Sequence, residues 1–128
     1  MSPTVVIMGA GSVGCYLGGV LALAGLRVHF VGRPRVLAGL REQGLRISDL
    51  EGRDSHLPPA ALLLHETLPA GLLPDLTLLC VKSGATLEAA QSLQQALPPG
   101  SVVVSMQNGI GNAQRGQTAA AALDWRAG

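Results

Sequence analysis

Aromatic residues are scarce in this chain of 128 residues, since Phe, Trp and Tyr together make up 2% of it. The core must therefore be aliphatic, and the hydrophobic content of 48% with only 13% charged residues excludes a disordered chain. Long apolar runs are also lacking, because none reaches the length of a membrane span and no basic leader precedes the first one. These absences predict a single cytoplasmic domain without a membrane partner.

Strong charge and clustered metal ligands are missing as well. The net charge of +1 gives no electrostatic reason to expect a nucleic-acid partner. Cys15 and Cys80 lack the spacing of metal or redox cysteines, so we expect buried thiols. His29, His56 and His65 are scattered, and we expect each to be structural or exposed. No Cys, His and carboxylate set has metal-ligand spacing, so we predict no metal site, and paired carboxylates and a nucleophile elbow are also absent.

Three glycines follow the first apolar run at a set spacing. The run Thr4–Met8 predicts a strand, and Gly9, Gly11 and Gly14 lead from it into a helix beginning near Ser12. Gly9 allows the sharp turn, Gly11 leaves room for a phosphate, and Gly14 lets the helix pack closely on the strand. Backbone amides at such a helix start bind a pyrophosphate. The spacing favours a dinucleotide site over a purely structural turn.

Strands and helices alternate along the rest of the chain. We predict strands at 4–8, 27–31, 76–81 and 101–105, helices at 12–24, 34–43 and 83–96, and a hairpin within 45–57. Residues 60–65 fit a strand or one helical turn. The alternation predicts an α/β fold with a doubly wound, mostly parallel sheet. Ligands of such sheets lie beyond the carboxyl ends of the strands, so the residues that directly follow each strand are the candidates for binding.

The residues after the second strand indicate which cofactor binds. An NAD site usually has Asp or Glu there, but this chain has Gly32-Arg33, with Arg35 two residues further. A guanidinium pairs with a 2′-phosphate, whereas a carboxylate repels it. We therefore predict NADP(H) over NAD(H). The alternative is that Arg33 and Arg35 are solvated charges at the start of a helix.

Two further candidates follow the next strands. Lys82, the single lysine among nine basic residues, offers a compact charge for a phosphate or carboxylate, although a solvated lysine is the ordinary alternative. Asn108 lies in the turn Gln107-Asn108-Gly109, where its amide could hold a carboxamide or a hydroxyl, or simply form the turn. The predicted cofactor-binding residues are Gly9, Ala10, Gly11, Ser12, Val13, Gly14, Arg33, Lys82 and Asn108.

These stretches in this order resemble the ketopantoate reductases. The resemblance is carried by the glycine string of residues 6–14, Gly32-Arg33, Cys80-Val81-Lys82-Ser83 and the stretch 107–111. It implies a Rossmann-like domain that binds NADPH, in an enzyme that reduces the 2-keto acid 2-dehydropantoate to pantoate for coenzyme A synthesis. It also implies that Lys82 and Asn108 contact the substrate or the nicotinamide side of the cofactor.

The chain also departs from that family. Its members are more than twice as long, and their second, helical domain carries the catalytic lysine that donates the proton. We therefore expect no catalytic residue in this chain. We expect residues 1–112 to form the NADP-binding domain and residues 113–128 to be a divergent or truncated tail of the same domain. Alone, the chain is expected to reduce little keto acid, and its uncovered apolar surface would favour self-association. Two alternatives are the Rossmann domain of another NAD(P) dehydrogenase and a non-catalytic nucleotide-sensing domain.

Overall fold

The computed structural model describes residues 3–48, 52, 54–106 and 123–127, and within them eleven regular elements. In chain order the strands are β1 (Thr4–Met8), β2 (Arg27–Val31), β3 (Leu45–Ser48), β4 (Asp54–Leu57), β5 (Leu63–His65), β6 (Leu76–Leu79), β7 (Val102–Ser105) and β8 (Asp124–Ala127). The helices are α1 (Ser12–Leu23), α2 (Pro34–Gln43) and α3 (Thr86–Ala96). None of the helices in these ranges is long and apolar enough to cross a bilayer.

Six strands form one parallel sheet in the spatial order β5-β2-β1-β6-β7-β8. From β1 the sheet extends on one side through β2 and β5. The chain then crosses to the other side of β1 with β6, and the sheet continues outward through β7 and β8. β3 and β4 pair separately as an antiparallel hairpin. The predicted doubly wound α/β sheet is confirmed. Its order reverses between β1 and β6, and a ligand crevice opens at such a reversal, beyond the carboxyl ends of the strands.

The two faces of the sheet carry separate aliphatic layers. Alternate residues of β1 point to opposite faces, so Ile7 packs with Leu37 of α2 and Ile47 of β3, while Val6 packs with Leu93 of α3. Helix α1 also lies on the first face, where its Gly18 approaches the ring of Phe30. Because β1 is covered on both faces, all but its first residue are buried, as expected for a central parallel strand.

The third helix differs from its prediction. Residues 83–85 form a 3₁₀ turn, so α3 begins at Thr86 rather than at Ser83. The buried side of α3 carries Thr86, Ala89, Ala90 and Leu93. Leu87, in contrast, is exposed. The small alanines at 89 and 90 let the helix approach the sheet with that side, which turns Leu87 outward.

Two short strands were difficult to see in the sequence. Residues 59–65 combine both of the predicted alternatives, since a 3₁₀ turn at Pro59–Ala61 is followed by the strand β5. Strand β8 pairs in parallel with β7, from Val102 opposite Asp124 to Ser105 opposite Ala127. Its Asp and Arg give no apolar pattern, and no strand was predicted within residues 113–128. Residues 107–122, which connect β7 to β8, lie outside the described part of the chain.

Candidate functional site

The glycine loop between β1 and α1 presents a row of backbone donors. Its first two amides, those of Gly9 and Ala10, donate to the carbonyl of Val31 at 2.9 and 3.1 Å and so fasten the turn to β2. Within the described residues, the four amides of Gly11–Gly14 make no hydrogen bond. The first turn of α1 carries no acidic side chain. These four amides, reinforced by the helix dipole, are therefore free to donate hydrogen bonds to an anion.

The glycines of the loop have distinct packing environments. Gly9 has a φ of 111°, and a Cβ there would lie 2.7 Å from the backbone nitrogen of Val81. A Cβ on Gly14 would collide with the carbonyl oxygen of Gly9 and lie 2.9 Å from Ile7. A Cβ on Gly11, in contrast, would meet nothing within 4 Å. Gly9 and Gly14 thus allow the tight turn from β1 into α1. The space beside Gly11 is open and can admit a ligand such as a diphosphate.

The end of β2 lies directly beside this loop. A Cβ on Gly32 would lie 2.8 Å from that of Ala10, so the two backbones are in close contact. Gly32 donates its amide to the carbonyl of His65 at 3.0 Å. Arg33 caps α2 with an extended backbone, and both Arg33 and Arg35 are exposed. Arg33 thus lies in the turn that borders the glycine loop on its β2 side, and Arg35 lies in the first turn of α2.

The end of β6 borders the loop on its other side. The backbone of Cys80 and Val81 passes against Gly9, and Lys82 follows immediately. Lys82 is exposed, and its carbonyl accepts the amide of Ala85 at 2.8 Å in the turn that precedes α3. The ends of β2 and β6 therefore place Arg33 and Lys82 on opposite sides of the glycine loop. Asn108, the remaining candidate, lies outside the described residues.

The two cysteines are poorly suited to chemistry. Both are half-buried rather than fully buried, and they pack against the same aliphatic layer as α1. Cys15 donates its thiol to the carbonyl of Ala10 at 3.4 Å, and burial raises its pKa. Burial, with a smaller effect of Cys15, raises the pKa of Cys80 to about 11. Both groups therefore stay protonated at neutral pH and are weak nucleophiles. No group of three metal-ligating side chains occurs in the described ranges.

A pair of histidines is the feature that the sequence did not reveal. Nδ1 of His29 on β2 lies 2.9 Å from Nε2 of His65 on β5, and the two rings stack with centroids 5.2 Å apart. The expectation of three unrelated histidines is therefore wrong for these two. They are 36 residues apart, and the pairing of β5 with β2 brings them together. No local spacing in the sequence could have indicated it.

We expect this pair to make stability depend on pH. Burial lowers the pKa of both imidazoles below the ordinary 6.5, and for His29 the charges of His65 and Arg27 lower it further. The unfolded chain thus binds protons at a higher pH than the folded one, so the pair's contribution is complete above 6.5 and is lost as the pH falls toward the folded-state pKa values.

Urea unfolding between about pH 7.5 and 5.5 measures this dependence. The double variant His29→Leu/His65→Leu is expected to unfold with a shallower pH dependence. If the double variant kept the slope of the unmodified chain, the histidine pair would not be its source.

Open amides on a glycine loop, at the reversal point of a six-stranded parallel sheet, define a dinucleotide-binding domain of the Rossmann type. The sequence profile described as Ketopantoate reductase PanE/ApbA matches residues 5–123. The chain therefore belongs to the ketopantoate reductase family and corresponds to its amino-terminal domain, which confirms the resemblance seen in the sequence. That domain binds a nicotinamide cofactor, and the family acts on a small keto acid.

Individual relatives agree with this assignment. The 2-dehydropantoate 2-reductase of Pyrococcus abyssi is 37% identical over 106 residues, which cover 83% of this chain and 33% of that protein. The enzyme of the same name from Halobacterium salinarum is 37% identical over 110 residues, covering 85% and 35%. The crystal structure of a PanE/ApbA family ketopantoate reductase from Ralstonia eutropha JMP134 matches with a TM-score of 0.81 at 35% identity, covering 94% and 39%. The chain thus spans about a third of the length of the curated relatives it matches.

Proposed function

We propose that this domain binds NADPH with its diphosphate on the amides of Gly11–Gly14 and its 2′-phosphate on Arg33. The observation that carries the proposal is the open row of amides beside the end of β2. Arg33 lies one residue beyond Gly32, which contacts the loop, so a nucleotide seated on the amides extends its adenosine ribose toward that guanidinium. The exposed Arg33 and Arg35 give this side of the crevice a positive charge.

We further propose that the complete protein reduces a 2-keto acid, with 2-dehydropantoate as the substrate that the family assignment favours. Bound NADPH would supply the hydride. Lys82 lies on the β6 side of the loop, opposite Arg33, and its ammonium is suited to holding the carboxylate of a keto acid or a cofactor phosphate. Asn108 is proposed to hold the nicotinamide or the substrate hydroxyl. Residues 1–112 are proposed to carry the cofactor site, and a second domain the proton donor.

The replacement Arg33→Ala tests the cofactor assignment. We expect it to weaken NADPH binding by roughly 10- to 100-fold, because a charge-assisted pair with the 2′-phosphate is lost. NADH lacks that phosphate, so its affinity should change by less than about twofold. Calorimetric titration of both nucleotides against the folded chain measures the two affinities.

Arg41→Ala is the matched control, because Arg41 is also an exposed arginine but lies at the far end of α2, in its last turn. It is expected to leave both affinities unchanged. Equal weakening of NADPH and NADH by Arg33→Ala would refute the 2′-phosphate assignment but not dinucleotide binding. If the unmodified chain bound neither nucleotide, the whole proposal would fail.

A further inference from the structure

The edge strand β5 is fastened to β2 next to the proposed ribose site. β5 has three residues, and its register places Leu63 opposite His29 and His65 opposite Val31. Just beyond the paired residues, the amide of Gly32 donates to the carbonyl of His65 at 3.0 Å. Gly32 directly precedes Arg33. The position of His65 therefore determines where the turn that carries Arg33 is held.

The imidazoles of His29 and His65 add a side-chain link to this backbone ladder. One ring must donate and the other accept across the 2.9 Å contact. His29 is 8% exposed, and its Nε2 is buried without a partner among the described residues. A buried N–H without an acceptor is rarer than an unpaired acceptor, which favours a proton on Nδ1 of His29 and a bare Nε2. His29 then donates to His65.

The turn at Gly32 lies between the glycine loop on one side and β5 on the other. Ala10 lies directly against Gly32, so the turn cannot move toward the phosphate loop. In the opposite direction it is held by the carbonyl of His65, and β5 in turn is held by the histidine pair. Loosening the pair would let the turn move outward. The exposed side chain of Arg33 would move with it, because its backbone sets its position.

We propose that His29 and His65 are positioning residues for Arg33 and thereby set the preference of the site for a nucleotide with a 2′-phosphate. This inference rests on the cofactor site proposed above. The amides of Gly11–Gly14 lie at the start of α1, and the loop before them is held by the carbonyl of Val31 rather than by a residue of β5. Weakening the pair therefore lowers affinity for the 2′-phosphate ester and leaves the shared part of the nucleotide bound as before.

The test compares disruptive and conservative replacements of His65. This residue is half-buried on an edge strand, so His65→Leu removes the hydrogen bond without a buried cavity. His65→Thr is a second disruptive variant, with a β-branched side chain suited to a strand. His65→Gln keeps a carbonyl that can accept from His29. His56→Leu is the matched control, since His56 is bonded to the carbonyl of Gln43 beside the β3–β4 hairpin.

We expect the Leu and Thr variants to bind NADPH roughly three- to tenfold more weakly, which corresponds to one hydrogen bond, and NADH within about twofold of the unmodified chain. The Gln variant should recover most of the NADPH affinity, and the His56 control should lose none. In the ligand-free chain, hydrogen exchange at the Gly32 amide should accelerate in the Leu and Thr variants but not in the Gln variant.

The possible results distinguish failure of the positioning role from failure of the 2′-phosphate assignment. If the unmodified chain prefers NADPH, and the Leu and Thr variants keep the same ratio of NADPH to NADH affinity, the positioning role is refuted while the cofactor site stands. An unchanged exchange rate at Gly32 in both variants would refute it equally. If the unmodified chain binds both nucleotides alike, the 2′-phosphate assignment fails, and this inference fails with it.

Discussion

Replacing Gly14 by alanine is expected to lower the free energy of unfolding by roughly 3 kcal/mol, which is the upper part of the range for overpacked sites. The added Cβ would overlap the carbonyl oxygen of Gly9 and press on Ile7, whose side chain is buried beneath α1. A backbone oxygen cannot rotate away as a side chain can. Helix α1 must therefore move off β1, and both the core packing and the loop geometry are lost.

Urea unfolding followed through the single tryptophan, Trp125 of β8, measures the effect of Gly14→Ala. Gly39→Ala is the matched control, because Gly39 also lies within a helix but a Cβ there would meet nothing within 4 Å. That control is expected to gain up to about 1 kcal/mol from helix propensity. If Gly14→Ala and the unmodified chain were equally stable, the packing of α1 against Gly9 and Ile7 would be less tight than described.

Replacing Gly11 by aspartate is expected to abolish dinucleotide binding while leaving the fold intact. Gly11 has an extended backbone, with φ of −86°, and open space where a Cβ would stand. Aspartate is a good residue at the start of a helix, so the free energy of unfolding should change by less than about 0.5 kcal/mol. Its carboxylate would occupy the place of the diphosphate, and repulsion between these charges predicts an affinity loss of at least about 100-fold.

Gly11→Asn separates charge from bulk in this experiment. Asparagine has nearly the same shape and caps a helix equally well, so it should lower affinity by about tenfold through crowding alone. The difference between Asp and Asn should shrink as salt is added, because mobile ions screen it. If both variants bound NADPH and NADH as the unmodified chain does, the diphosphate would lie elsewhere.

The glycine loop could be predicted because the backbone and packing constraints on its glycines are local in the sequence. Gly9 needs a positive φ and Gly14 a missing Cβ, and both demands appear as spacing within one short segment. The places of Arg33 and Lys82 also followed from the sequence, since each comes after an apolar strand and parallel strands end at one edge. The sequence could not show which loop amides have no hydrogen-bond partner, because the amides of Gly9 and Ala10 are bonded to the carbonyl of Val31 on a neighbouring strand.

The histidine pair and strand β8 could not be predicted, and β5 was predicted only as one of two alternatives, for a different reason. β5 and β8 stand at the two edges of the sheet, where a strand is covered less completely and needs no continuous apolar run. Asp124 and Arg126 of β8 pair with each other at 2.9 Å on the surface and give it no strand-like pattern. His29 and His65 meet only once β5 has docked, and that docking is a property of the assembled sheet.

The bracing of the glycine loop has a consequence for how quickly and tightly a ligand is captured. The carbonyl of Val31 holds its first two amides, Gly32 backs onto Ala10, and Val81 closes over Gly9. The ends of β2 and β6 thus hold the loop in place before any nucleotide arrives. Binding then needs no rearrangement of the backbone and loses little conformational entropy. A larger share of the free energy of each amide contact therefore contributes to affinity.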